Sequence, residues 1–201
     1  MKEMSNGLLI EVVDDTMLIT FNRPEIRSPL SVNVVEELQR RVDGVSAANV
    51  KKVVFTGQDG VFASGADLRE IAKVTGETAR EFALRGQRLM NGIAEIEALT
   101  IAAVDGFCFG GALDLALACN VRIASRRSLF SHPGASLGII TGWGGTQRLP
   151  RLVGQANALE MFFLAKRIEA EVALTTGLVD YIADDPLEAA LEYAADEKAV
   201  V

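Results

Sequence analysis

Ala103-Val104-Asp105-Gly106-Phe107-Cys108-Phe109-Gly110-Gly111-Ala112-Leu113-Asp114-Leu115-Ala116 passes from an apolar run through a small-residue loop into a second apolar run, without one basic residue. Residues 101–104 are continuously apolar, the mark of a strand covered on both faces. Residues 105–109 read as a loop, 111–118 as a helix and 121–124 as the next strand. The mostly apolar stretch 99–119 has the length of a membrane span, but Asp105, Asp114 and Gly106, Gly110 and Gly111 interrupt it. A buried strand, turn and helix explain it better, and they set the fold class.

The same alternation extends in both directions. Upstream, residues 8–13 and 16–21 are short β-branched runs around Asp14-Asp15, a hairpin that ends at Asn22-Arg23-Pro24. Ser31 caps a helix whose apolar positions Val34, Val35, Leu38, Val42 and Val45 follow the helical period. Residues 53–56 form a strand, Gln58-Asp59-Gly60 a turn, 62–66 a small-residue loop, 67–74 a short helix and 78–96 a longer one. Downstream come a short strand at Leu129-Phe130, an irregular glycine-rich loop over 132–145 and helices over 146–153, 155–164 and 169–176. A strand over 178–182 follows, then a helix capped by Asp185 with Pro186 in its first turn, continuing to Ala195. Repeated strand–helix alternation predicts an α/β fold whose crossovers cover a sheet. No linker or internal repeat divides residues 1–201, so one domain is expected.

Composition narrows the function. Of 201 residues 49% are hydrophobic and 23% charged, too apolar for a disordered chain. The net charge of −7 and the lack of a basic patch argue against nucleic acid and against anionic membranes as partners. Cys108 and Cys119 lie in apolar stretches without CxxC spacing and read as buried thiols. A single histidine excludes multi-histidine metal sites, and no metal is expected. The first seven residues lack the basic and apolar regions of a secretory signal, so the expected compartment is the cytoplasm.

Two glycine-rich segments invite motif readings that fail on context. Gly142-Trp143-Gly144-Gly145 lacks the third glycine of a dinucleotide fingerprint, and no GK[ST] marks a phosphate-binding loop. Gly134-Ala135-Ser136-Leu137-Gly138 matches a nucleophile elbow in letters, but no helix follows the serine directly and His132 lies upstream of it. What survives is a pair of segments, Phe62-Ala63-Ser64-Gly65-Ala66-Asp67-Leu68-Arg69-Glu70 and the opening stretch. Each carries a small-residue loop into a helix N-terminus, where backbone N–H groups lack intrahelical partners. Two such donors aimed at one point make an oxyanion hole.

At these residues the chain resembles the enoyl-CoA hydratase/isomerase, or crotonase, superfamily. Phe21-Asn22-Arg23-Pro24-Glu25, Gly65-Ala66-Asp67, Gly110-Gly111, Gly144-Gly145-Thr146-Gln147-Arg148-Leu149, Gly154 and Thr176-Gly177-Leu178-Val179 carry the resemblance, in order, over nearly the whole chain. It implies a spiral of ββα units that binds an acyl-CoA thioester as substrate, with no separate cofactor. The thioester oxygen would be held by the N–H groups of Ala66 and Gly111, with Asp114 as the catalytic acid/base. Arg27 would contact phosphate, and Ser64, Asp67 and Leu68 would join Ala66 and Gly111 along the CoA moiety. His132, Gly134, Thr141 and Trp143 would border the acyl pocket. The family's habit implies a homotrimer or hexamer.

The chain departs from the family pattern in three places. A typical hydratase of the family uses two glutamates, whereas the first position here is Asp114 and the second falls on Gly134. Standard two-glutamate hydration is therefore not expected. Isomerisation, decarboxylation or thioester hydrolysis through Asp114, helped by His132, Thr141 or water, fits equally, as does a silent acyl-CoA-binding or assembly subunit. Residues 185–201 read as the start of a shortened C-terminal helical region.

Overall fold

The computed structural model describes residues 2–194. The hairpin stands where the sequence puts it: β2 (Leu8–Val13) and β3 (Thr16–Phe21) are antiparallel, and β1 (Lys2–Ser5), which sequence reading missed, pairs with β2 as an edge strand. α1 (Val32–Gly44) begins at Ser31, whose hydroxyl accepts from the Val34 N–H. β4 (Lys52–Thr56) and β5 (Val61–Ala63) lead to α2 (Leu68–Ile71) and α3 (Ala79–Glu95). β6 (Leu99–Val104) and β7 (Phe107–Phe109) precede α4 (Gly111–Ala118). β8 (Val121–Ala124) and β9 (Leu129–Ser131) lead through a 3-10 turn at Pro133–Leu137 to α5 (Gly145–Val153) and α6 (Gln155–Leu164). The chain continues through β10 (Ile168–Glu169), α7 (Ala170–Thr175), β11 (Tyr181–Ile182) and α8 (Pro186–Glu192).

The first strand of each central pair enters a seven-stranded sheet ordered β1-β2-β3-β4-β6-β8-β11, and the second enters a four-stranded sheet ordered β10-β9-β7-β5. The chain thus repeats β4-β5, β6-β7 and β8-β9, each pair followed by helix, and the parallel pairings advance by one unit per turn. This is a spiral of ββα units. Alternation along β6 separates two cores: Ala102 and Val104 face the main one, while Leu99, Ile101 and Ala103 join Val121, Ile123 and, from α8 and just beyond it, Ala190 and Tyr193.

Several expectations are corrected. The loop expected over 62–66 begins within β5, that over 105–109 contains β7, and Ile168–Glu169 forms β10; strands of two or three residues leave almost no periodicity to read. Asp67 is the N-cap of α2 rather than a residue of its first turn, and its carboxylate accepts from the Arg69 N–H. The strand expected over 178–182 shrinks to Tyr181–Ile182, because Leu178 and Val179 fold back onto the Ala173 carbonyl. The last helix ends at Glu192, while its expected end at Ala195 and the rest of residues 195–201 lie outside the described residues.

Candidate active site

Parallel pairing of β5 with β7 brings the two small-residue loops side by side. Gly65 has φ +87°, and a Cβ there would lie 2.6 Å from the Phe109 carbonyl oxygen and 2.7 Å from the Gly111 nitrogen. A Cβ on Gly111 would stand 3.4 Å from the Ala66 nitrogen, so the two amides are neighbours. Among the described residues neither N–H donates to a backbone carbonyl. Ala66 and Gly111 both border a cavity of about 320 Å³, walled largely by apolar residues such as Ile71, Phe82, Leu137, Ile139 and Ile140.

Ser64, Leu68, His132, Gly134, Thr141 and Trp143 line the same cavity, as expected. Arg27 is exposed on the neighbouring turn and touches the wall through its carbonyl, which accepts from the Ser64 N–H at 3.0 Å. Asp67 does not line the cavity. The residue is 6% exposed and its carboxylate is bonded to the Arg69 guanidinium and N–H; the guanidinium hydrogen bond outweighs the opposing effect of burial and holds it below its ordinary pKa. That bonding makes Asp67 the cap of α2.

Asp114 is the larger surprise. It sits in the first turn of α4, every residue of which is buried, with no exposed surface and outside the cavity lining. Burial pushes its carboxyl up to about 7, against the pull of the Thr141 hydroxyl, Arg148 and the Gly145 and Trp143 N–H dipoles. Thr141 donates its hydroxyl proton to Oδ2. Oδ1 has no hydrogen-bond partner and faces Nε2 of His132 at 3.5 Å, itself without one. Burial lowers His132 to about 4, so the imidazole is neutral at physiological pH. Thr141 and His132 are therefore the cavity-side neighbours of a carboxyl that does not reach the cavity itself.

Glycine sets the walls where sequence alone gives little sign of it. A Cβ at Gly145 would overlap Asp114 Oδ1, and one at Gly134 would lie 2.6 Å from the Ile139 carbonyl oxygen. The loop thus packs so that position 134 has no room for a side chain without a shift of the Ile139 backbone. Trp143 is wedged between α3 and α4: its pyrrole edge lies against Gly86, its benzo edge against Gly111, and its ring 5.6 Å from that of Phe82. Sequence reading placed Gly86 inside a helix without a role.

A sharp expectation follows for Gly86→Ala. Alanine in a helix interior is favoured over glycine by about 0.8–1.0 kcal/mol, but its methyl would collide with the indole. Overpacking of this kind costs about 1–3 kcal/mol, so urea denaturation should find the variant less stable. In a Trp143→Ala background, which removes the ring atoms the methyl would meet, the sign should reverse.

A ββα spiral with two helix-leading loops converging on one apolar cavity defines the crotonase fold. The chain belongs to the enoyl-CoA hydratase/isomerase family, whose model matches residues 13–197. It is 34% identical over 181 residues to a short-chain-enoyl-CoA hydratase of Clostridium acetobutylicum, covering 89% of this chain and 69% of that protein. It is 36% identical to a crotonyl-CoA hydratase of Syntrophomonas wolfei, covering 88% and 68%. The solved enoyl-CoA hydratase of Bacillus anthracis superposes with a TM-score of 0.85 at 32% identity, covering 96% of this chain and 75% of that one. Among the described residues no cluster of His, Cys, Asp and Glu is suited to a metal ion, and no helix is long and apolar enough to cross a membrane.

Proposed function

We propose that this chain is an enzyme of acyl-CoA thioesters whose common step is formation of a thioester enolate. The thioester oxygen accepts from the Ala66 and Gly111 N–H groups, and the acyl group occupies the apolar cavity between α3 and the loop over 137–143. The observation that carries the reading is the pair of adjacent, unbonded amides at the cavity wall. Two donors already in place stabilise negative charge as it develops without reorganising. Asp114 supplies the acid/base function from behind the wall, through Thr141 or His132.

A carboxyl held near 7 suits proton transfer at neutral pH. With Gly134 in place of a second carboxylate, the chemistry runs on one carboxyl, which favours isomerisation, decarboxylation or hydrolysis over two-glutamate hydration. The relatives named as hydratases support acyl-CoA as the substrate class. Residues 1–201 act as one domain in this reading. The exposed Phe163 and Leu164 of α6 suit burial in a homotrimer or hexamer, and the two free buried thiols suit the cytoplasm.

Incubation with crotonyl-CoA, longer enoyl-CoA, malonyl-CoA and aryl-CoA thioesters, with products followed by mass, tests the reading. Gain of water, loss of carbon dioxide or release of free CoA names the reaction class, and chromatography reveals an isomer of unchanged mass. Binding without conversion would make the chain a silent binding subunit, and absence of binding would overturn the reading altogether.

A further inference from the structure

We propose that His132 and Asp114 act as one acid–base unit, in which His132 exchanges the proton with the bound acyl group and Asp114 is its enclosed proton reservoir. The inference rests on the acyl-CoA reading above and says which atom touches the substrate. Asp114 cannot do so from its observed position, since it has no exposed surface and lies outside the cavity lining, whereas His132 lines it. The two unbonded atoms, Oδ1 of Asp114 and Nε2 of His132, face each other at 3.5 Å, and closing to hydrogen-bond length needs a shift of only about 0.5 Å. The Phe162 ring, 5.1 Å from the imidazole, flanks it on α6. With Nε2 turned toward Asp114, Nδ1 on the opposite edge of the ring is left for the cavity.

The proton balance closes with a single proton. In the base stroke Nδ1 takes a proton from the carbon next to the thioester, and the C–H electron pair moves into the enolate held by Ala66 and Gly111. At the same time Nε2 gives its proton to Oδ1, so the imidazole ends neutral and Asp114 ends as the acid. In the return stroke Nδ1–H protonates carbon and Oδ1–H restores the proton to Nε2. The imidazole changes tautomer and never needs a net charge, which its apolar surroundings oppose. The other groups facing the pair are Arg148 from α5, the Thr141 hydroxyl on Oδ2 and the Cys108 thiol of β7, which burial holds protonated. Thr141 offers a rival path, because it also lines the cavity and its hydroxyl donates to Oδ2.

The test is exchange of the α-protons of butyryl-CoA and phenylacetyl-CoA in D2O, read by NMR, which needs no knowledge of the natural acyl group. Wild type should exchange, His132→Gln should lose at least about 100-fold while its Kd for the thioester stays within about threefold, and Gly154→Ala, far from any side-chain contact, should keep the wild-type rate. Imidazole added to His132→Ala should restore exchange at least tenfold, a rescue that a packing role would not give. Wild-type rates in His132→Gln, or a loss of exchange matched by an equal loss of affinity, overturns the dyad alone. Absence of exchange in wild type with both thioesters overturns the acyl-CoA reading and the dyad with it.

Discussion

Gly65→Ala is expected to lower turnover of the acyl-CoA substrate by about 10²–10³-fold, the loss seen when one oxyanion donor is removed. Two costs act at once. The first is conformational: at φ +87° an alanine is strained by about 1–2 kcal/mol. The second is geometric, since the new methyl would sit 2.6 Å from the Phe109 oxygen and 2.7 Å from the Gly111 nitrogen, both backbone atoms that cannot rotate away. The loops must separate, and misplacement on the scale of about 1 Å costs about 100-fold in a positioned reaction. Gly154→Ala separates the two effects. Gly154 joins α5 to α6 at φ 79°, ψ 158°, with nothing near its missing side chain, so its substitution costs about 1–3 kcal/mol of stability and leaves turnover near wild type. Equal activity losses in the two variants would show that the Gly65 effect is only strain.

Legibility in the sequence follows the range of the interactions. The hairpin strands β2 and β3, helix α4 and strand β8 fall on the residues read from the sequence, because turn chemistry, the 3.6 period and continuous apolar runs are local signals. Strands β5, β7 and β10 were missed because only partners far along the chain make them strands. The two small-residue loops that meet at the cavity were legible in their composition. The sequence also names His132 and Thr141 as helpers of Asp114, but the enclosure of that carboxyl was not legible, since burial by the Thr141–Gly145 segment and the approach of Gly145 to Oδ1 decide where it points. Gly86 carried a weak signal, a glycine within an amphipathic helix, whose meaning depends on Trp143, 57 positions away.

The same pair yields a second large effect, in stability against pH, where each single variant should acquire a slope that wild type lacks. Asp114 is raised from 3.8 to about 7 on folding, so between those values the native state holds a proton the unfolded chain has released, and stability falls as pH rises. His132 is lowered from 6.5 to about 4, so between those values the unfolded chain holds the extra proton, and stability falls as pH drops. In wild type the two nearly cancel from about pH 4 to 6.5, because each state carries one proton, native on Asp114 and unfolded on His132. Removing either partner exposes the other, at about 1.4 kcal/mol per pH unit. His132→Gln should therefore lose roughly 4 kcal/mol between about pH 4 and 7, and Asp114→Asn should gain roughly 3 kcal/mol between about pH 4 and 6.5. Above pH 7 Asp114→Asn should exceed wild type in stability, because it no longer buries a charge, while its α-proton exchange is lost. Urea unfolding across this range checks the signs. A flat profile in His132→Gln between about pH 4 and 7 would mean that Asp114 releases its proton in the folded protein as readily as in the unfolded chain, and that burial does not raise its carboxyl.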